Sequence, residues 1–339
     1  MRNRNIRRLA INGFGQIGKT FFRQACDHPN IDIVAINDLA APEDIVYMLR
    51  YDSNYGKFIG RTEIKDGHLY VRGNKTRLFA ERDPGKLPWK DMEIDIVVDA
   101  SGVFDTVESL MPHIAAGARR VVLTAPAKDD MPMFTPNVKE EAARRGLITS
   151  NASCTTNALV PLVKVLHDAI GIKYAHANTI HAYTATQRLV DGVGGKKDPR
   201  RGRAAAMNIS PAITGAASAL AKLLPEFKGR FDGVSIRVPI PTGSMLDLEF
   251  FAARPTSVEE VNRVLKEASQ RNEWLGILGT TEERLVSSDI VGDAHGSLVQ
   301  LEMTNVVGER LVKVLSWYDN VWGYCSMLLR HVAVVAELL

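Results

Sequence analysis

The sequence predicts an α/β fold: a doubly wound parallel sheet, followed by an α+β domain with a mixed or antiparallel sheet. Three observations carry this. The chain opens as strand, glycine turn, helix, strand and acidic residue within roughly its first forty positions. Strand and helix then alternate up to the segment LITSN. After the helix that follows, the strands lengthen and mix polar with apolar residues.

The elements can be justified in order. IRRLAIN ends in an apolar run and leads straight into GFGQIGK, and TFFRQACDHP has helical spacing that stops at Pro29. DIVAIND is a second apolar strand ending in Asp38. In such a unit Gly13 permits the tight turn, Gly15 lets backbone approach a pyrophosphate, and Gly18 lets the helix pack on the strand. The helix start then faces the phosphate charge, and Asp38 can accept hydrogen bonds from a ribose diol. PEDIVYMLRY reads as a helix, and HLYVRGNKTRLF as a hairpin turning at Gly73 and Asn74. IDIVVDASG, VESLMPHIAAGA and RRVVLTAP give a further strand, helix and strand, and ligands of such a sheet gather at the carboxyl ends of its strands.

TTNALVPLVKVLHDAIG is the next helix. YAHANTIHAYT, DGVSIRVPI, MLDLEFFAARP and SLVQLEMTNVV read as strands of the second domain. SVEEVNRVLKEASQ is a helix opened by the capping box Ser257-x-x-Glu260. Gln187 to Met207 form a long polar, glycine- and arginine-rich stretch, a length that marks functional or interfacial loops. GYCSMLLRHVAVVAELL closes the chain as an apolar-striped helix. The expected division is a dinucleotide-binding domain over 1–153, a catalytic domain over 154–321, and a last helix, 322–339, packing back on or near the first.

Composition narrows the function classes. The 339 residues are 45% hydrophobic and 24% charged, enough for substantial cores and unlike disordered or collagen-like chains. No apolar run approaches the ~20 residues of a membrane span, and MRNRNIRR leads into a strand rather than a signal core, so a cytoplasmic protein is expected. Cys26, Cys154 and Cys325 are widely spaced and suggest neither disulfides nor a metal site. The net charge of +3 is slight. The basic run KKDPRRGR, Lys196 to Arg203, can meet phosphates or lie as a solvated loop; without aromatic interleaving, no nucleic-acid partner is expected.

The segment SNASCTTN draws most attention, because Cys154 sits among hydroxyl-bearing neighbours at the start of a helix. The positive end of that helix, together with an imidazolium, is expected to lower the thiol pKa and give a thiolate near neutral pH. His181 in TIHAYTAT lies 27 residues on, room for a helix and a returning strand. His176 is on the same strand but faces the opposite way. Spacing favours His181 over His176 and leaves a structural histidine open.

SNASCTTN, TIHAYTAT, Thr214-Gly215 within ITGAASALAKLLPE, Arg237 within IRVPI, the late WYDN, and NGFGQIG with AIND match one family in order and spacing. Together they resemble the phosphorylating glyceraldehyde-3-phosphate dehydrogenases, from about residue 6 to the final helix. The resemblance implies a Rossmann domain, a homotetramer, Cys154 as nucleophile and His181 as base. It implies Ser153, Thr155, Thr184, Thr186, Thr214, Gly215 and Arg237 as holders of the substrate phosphate and the incoming inorganic phosphate. For the cofactor it implies the backbone of Gly13, Gly15, Gln16, Ile17 and Gly18 at the pyrophosphate. Asp38 would take the ribose, Arg82 and Thr124 would lie along the adenosine and nicotinamide path, Asn320 would hold the carboxamide and Tyr324 would pack near the ring. The loop from 188 to 206 would reach a neighbouring subunit. Asp38 repels a 2′-phosphate and so favours NAD over NADP. Val193, where NAD-preferring relatives often carry proline, weakens that vote, and Lys196 and Lys197 would tolerate an extra phosphate.

The sequence also departs from the family pattern. Gln16 stands for an arginine, Ala158 for a second cysteine, and Val321 for an acidic residue; MFTPNV and PIPTGSM also differ. Erythrose-4-phosphate dehydrogenase shares the thiol and histidine but commonly alters the positions of Thr184 and Thr214-Gly215. Aspartate-semialdehyde dehydrogenase shares the thioester logic with different motifs. A non-catalytic nucleotide- or RNA-binding protein would have no use for the Cys154–His181 pairing.

Overall fold

The computed structural model describes residues 6–194 and 198–339. It divides into two compact units: Met1–Ala152 with Cys325–Leu339, and Ser153–Tyr324. Lys196 and Lys197 lie outside the described residues.

The first unit contains β1 (Arg7–Asn12), α1 (Gln16–Ala25), β2 (Ile31–Asn37) and α2 (Pro42–Arg50), then a two-strand ladder of β3 (Tyr51–Asp52) and β4 (Gly56–Lys57). It continues through β5 (Thr62–Lys65), β6 (His68–Val71), β7 (Asn74–Phe79), β8 (Ile96–Asp99), α3 (Val107–Ala115), β9 (Arg120–Leu123) and β10 (Ile148–Ser150). Strand order in its sheet is β10-β9-β8-β1-β2-β7-β6-β5, parallel from β10 to β7 and antiparallel beyond. Runs such as IVVD on β8 are wholly buried, as expected of strands covered on both faces. Ala10, Val34, Trp89, Val97, Leu110 and Val121 belong to one core cluster.

The glycine turn is enforced by sterics. Gly13 has φ +91, and a Cβ there would lie 2.5 Å from Cα of Ser101. The hairpin prediction needs correction by one residue: Arg72 and Gly73 have positive φ, and Asn74 already begins β7, because a two-residue turn of that hand needs φ > 0 at both central positions.

The second unit contains α4 (Cys154–Ile170), β11 (Ile172–Ala182), β12 (Ser210–Ile213), α5 (Ala216–Leu223), β13 (Phe231–Val238), β14 (Ser244–Ala252) and α6 (Val258–Ser269). β15 (Leu278–Thr281), β16 (Ser297–Gln300), β17 (Asn305–Val307) and β18 (Leu311–Tyr318) complete its sheet; α7 (Trp322–Glu337) follows, and from Cys325 on it belongs to the first unit. The order is β12-β13-β11-β14-β18-β16-β15, with β17 also on β18; β11/β13 and β15/β16 are parallel and the other pairs antiparallel. Alternation is clean on β14 and β18. Leu246, Leu248, Phe250, Val312 and Val314 point inward, and α4 packs against both strands.

Two predicted details differ. SLVQLEMTNVV is two strands, β16 and β17, separated by a 3₁₀ turn over Leu301–Met303. The capping box of α6 is half formed: the Ser257 hydroxyl accepts from the Glu260 amide, but Glu260 gives its carboxylate to Arg254 and Thr256. A nearby guanidinium is the stronger partner for a carboxylate. Among the described residues, no helix is long and apolar enough to cross a membrane.

Candidate active site

Cys154 is the first residue of α4. Ser153 precedes it as N-cap, its hydroxyl accepting from the Thr156 amide at 3.1 Å. This cap fixes where the helix begins, and therefore where the sulfur emerges. β11 returns beside the helix and brings Nε2 of His181 to 3.4 Å from Sγ of Cys154. His181 is 3% exposed, whereas His176 on the same strand is exposed. Their odd spacing puts them on opposite faces, so only His181 can meet the thiol.

Arg237 on β13 is directly opposite His181 in the β11/β13 register. Its Nη1 lies 2.6 Å from Nδ1 of His181 and 3.0 Å from the carbonyl oxygen of Ala182. Burial pushes the Cys154 thiol pKa up even though the residue keeps some exposure, and the Arg237 charge and hydrogen bonds from Thr155 pull it back only in part. Burial, with Arg237 second, pulls His181 down to about 3. Burial thus works against the expected thiolate–imidazolium pair on both sides, raising the thiol and lowering the imidazole.

The hydroxyl-bearing residues form separate groups. Thr184 and Thr186 share a hydrogen bond at 2.9 Å, and Nη1 of Arg201 donates to Thr186 at 2.6 Å. Ser153 and Thr155 flank the sulfur on α4. Thr214 gives its hydroxyl oxygen to the Ala216 amide at 3.2 Å, and Gly215 caps α5 with no side-chain hydrogen bond. No hydrogen bond joins Thr214 or Gly215 to Cys154 or His181 among the described contacts, although α5 packs on α4.

Sequence reasoning missed two participants. The Tyr318 hydroxyl lies between Thr155, at 3.1 Å, and Thr179, at 2.6 Å, with its ring edge-on to His181. It belongs to the WYDN motif, where attention went to Asn320. Arg201 falls in the basic run, which the sequence leaves open as a solvated loop; its approach to Thr186 depends on the fold of that loop.

Asn320 is 5% exposed, and its carboxamide oxygen accepts from Ser244 at 2.9 Å and Thr242 at 3.3 Å. The amide N–H₂ is then the end that can donate to a ligand. Asp319 accepts from the Val321 and Trp322 amides and so caps α7; the side chain at Val321 leaves this cap intact. Tyr324 is buried in the first turn of α7.

In the first unit, α1 starts at Gln16 behind Gly15 with no side-chain cap, and a Cβ on Gly15 would meet nothing within 4 Å. The first-turn amides, including those of Ile17 and Gly18, are thus available to an anion, which fits a pyrophosphate. Asp38 accepts from the Phe14 amide at 2.6 Å and the Ala40 amide at 2.8 Å, tying the end of β2 to the glycine turn. The Thr124 amide donates to the Asp99 carbonyl, and Arg82 is exposed. The side chain of Gln16 is exposed and Ala158 is fully buried on α4.

Comparison with known proteins agrees over both units. Residues 7–107 match the profile of the glyceraldehyde 3-phosphate dehydrogenase NAD binding domain, and residues 153–320 that of the family's C-terminal domain. The chain is 45% identical over 330 residues to a glyceraldehyde-3-phosphate dehydrogenase of Shimwellia blattae, covering 97% of this chain and 99% of that protein. It is 44% identical over 330 residues to glyceraldehyde-3-phosphate dehydrogenase A of Escherichia coli K12, with the same coverage. It is 43% identical over 335 residues to the enzyme so named from Clostridium pasteurianum, covering 98% of this chain and 99% of that one.

Proposed function

The chain belongs to the glyceraldehyde-3-phosphate dehydrogenase family, and on that premise we propose that Cys154 and His181 perform the phosphorylating oxidation of D-glyceraldehyde 3-phosphate to 1,3-bisphosphoglycerate. The observation that carries this reading is the 3.4 Å approach of His181 Nε2 to a thiol at a helix start. An aldehyde gives up hydride poorly, and a covalent adduct with sulfur solves that problem.

Sγ of Cys154 bonds to the carbonyl carbon while its proton passes to Nε2 of His181, which returns it to the new oxyanion and forms a thiohemiacetal. The backbone N–H of Cys154, at the start of α4, supports the oxyanion. His181 then removes the hydroxyl proton as hydride leaves, and a thioester remains on Cys154. Bound NAD supplies the hydride acceptor. A phosphate oxygen attacks the thioester carbon, the C–S bond breaks, and the leaving sulfur recovers its proton from His181. With its pKa pulled down to about 3, His181 is unprotonated and ready to accept at neutral pH.

Two phosphate groups are held by the hydroxyl clusters: Thr184 and Thr186, backed by Arg201, and Ser153, Thr155, Thr214 and Gly215, with Arg237 beside the reacting centre. Gly13, Gly15, Gln16, Ile17 and Gly18 hold the pyrophosphate, Asp38 the ribose, Arg82 and Thr124 the path between, and Asn320 and Tyr324 the nicotinamide end. The enzyme works in the cytoplasm as a homotetramer. A register row of Tyr174, Phe251 and Leu311 on the outer sheet face, 65%, 43% and 45% exposed, supports self-association, as does an exposed 188–193 stretch.

NADH formation from glyceraldehyde 3-phosphate, measured with and without inorganic phosphate, tests this reading. Steady turnover that requires phosphate supports it. Faster turnover of erythrose 4-phosphate, or no turnover of any aldehyde, would overturn it.

A further inference from the structure

A chain of buried polar side chains runs beneath the carboxyl edge of the first sheet, and the reaction as described uses none of it. Asn12, Asn37 and Asp99 are the last residues of β1, β2 and β8. Nδ2 of Asn37 donates to Oδ1 of Asn12 at 2.7 Å, and Nδ2 of Asn12 donates to Oδ2 of Asp99 at 2.7 Å. Asn37 also brackets Glu81, donating to its carbonyl and accepting from its amide, each at 2.8 Å. Asp99 Oδ2 lies 3.3 Å from Nε2 of His113 on α3, and Nδ1 of His113 accepts from the Trp89 indole at 3.0 Å. Asp99 Oδ1 accepts from the Ser101 hydroxyl at 2.8 Å. Trp89, Asp99 and His113 are fully buried, and Asn12 and Asn37 are 4% exposed.

The direction of these bonds is determined. An indole N–H can only donate, so Nδ1 of His113 carries a lone pair and the ring proton sits on Nε2, aimed at Asp99. The residues next to the three strand ends are Gly13, Asp38 and Ala100-Ser101. Gly13 is in contact with the Ser101 backbone, and Asp38 holds the Phe14 amide. Side chains that fix the spacing of these strand ends also fix the glycine turn and the ribose carboxylate relative to each other. An apolar filling of the same volume is often no less stable than a buried carboxylate with polar partners, so stability alone is a weak account of the network.

We infer that Trp89, His113 and Asp99 are positioning residues for the dinucleotide: the Trp89–His113 pair locks the imidazole tautomer that holds Asp99, and Asp99 sets the Asn12–Gly13 turn. This rests on the reading of Gly13 to Gly18 as the pyrophosphate turn.

The test is calorimetric titration of the full-length protein with NAD, together with ¹⁵N NMR of the His113 ring. His113→Leu is expected to weaken NAD binding about tenfold or more, since it strands the buried Trp89 donor and takes one of the donors from Asp99. His113→Gln, which can both donate to Asp99 and accept from Trp89, is expected to bind within about threefold of the parent. The parent ring should be the Nε2–H tautomer. Unchanged affinity in His113→Leu, a Gln variant as weak as the Leu variant, or an Nδ1–H ring overturns the inference while leaving the cofactor reading intact. No NAD binding by the parent overturns both. Should His113→Leu fail to fold, Trp89→Phe decides: it removes only the indole donor, and a Kd several-fold above the parent supports the lock, whereas parental affinity removes it.

Discussion

Arg237 and His181 face each other across parallel strands, with Nη1 of the arginine 2.6 Å from Nδ1 of the imidazole. The same Nδ1 lies 2.6 Å from the carbonyl oxygen of Ala182. One nitrogen cannot accept from a guanidinium and donate to a carbonyl at once. With Arg237 as its partner, the ring proton sits on Nε2, facing the sulfur; with Ala182 as its partner, Nε2 is the free base that the oxidation needs. Arg237 therefore affects the thiol in two ways, through its charge and through the tautomer of His181.

Replacing that cation gives a prediction with a definite sign. Arg237 lowers the pKa of Cys154, so Arg237→Met should raise it, and alkylation of Cys154 by iodoacetamide should shift to higher pH. His181, relieved of a neighbouring positive charge, should titrate above about 3. A thiol profile at or below the parental pH would mean that the arginine charge is not what tempers the burial of the sulfur.

Cys154→Ser is expected to reduce NADH formation by at least about a thousandfold, because a buried hydroxyl is far less ionised than even a raised thiol. Ser153, Thr155 and the rest of the cap are untouched, so folding should survive, as circular dichroism would show. Activity near the parental level would remove Cys154 from the chemistry.

Much of this site was legible in the sequence because helix starts and strand parity are local. Hydroxyls at the cap, Cys154 at the helix start and the opposite facing of His181 and His176 all follow from neighbours within a few residues, whereas the choice of His181 for the inner face rested on spacing and needed the fold. What was not legible depends on packing between distant segments. The resting protonation of the pair turns on how much water α4 and β11 exclude. The hydroxyl of Tyr318 meets Thr155 and Thr179 only because β18 and β11 both adjoin β14 in one sheet. The same limit explains Glu260, whose capping role was correctly spaced but lost to an arginine six residues earlier.

Asp38→Gly should raise use of NADP relative to NAD, because it removes the charge that opposes a 2′-phosphate. The carboxylate also accepts the Phe14 and Ala40 amides, so the loss should weaken NAD binding as well. The comparison to make is kcat/KM for both cofactors. An unchanged ratio would place the discrimination elsewhere, for example in the loop that carries Val193.

His331 supplies a pH prediction independent of catalysis. It is fully buried on α7, stacked on Phe134 with ring centroids 3.7 Å apart and bonded to Thr149, and burial pulls its pKa to about 3. An unfolded histidine titrates near ~6.5, so the unfolded chain takes up this proton first as pH falls. The stability associated with the neutral ring is present above ~6.5 and is lost progressively down to about 3. His181 behaves alike, with its pKa also near 3. Thermal unfolding of His331→Gln, which can keep the Thr149 contact, should therefore depend less steeply on pH across this window than the parent does. An identical slope would show that the ring is protonated in the fold.

The residue before the cap gives a prediction in which three magnitudes compete. Ala152 is fully buried with φ +55, a left-handed conformation that costs an alanine about 1–2 kcal/mol. Ala152→Gly removes that strain but loses about 0.8 kcal/mol of methyl burial and gives the unfolded chain about 0.4–1 kcal/mol of extra entropy. The terms nearly cancel, so the expected change is within about 1 kcal/mol in either direction. Ala152→Val keeps no such balance: a β-branched residue at positive φ adds strain and overfills a closed site, together about 2 kcal/mol or more. Denaturant titration of the two variants separates these outcomes. A glycine variant as damaged as the valine one would show that the methyl contacts of Ala152, rather than its backbone, set the geometry of the turn that leads into Cys154.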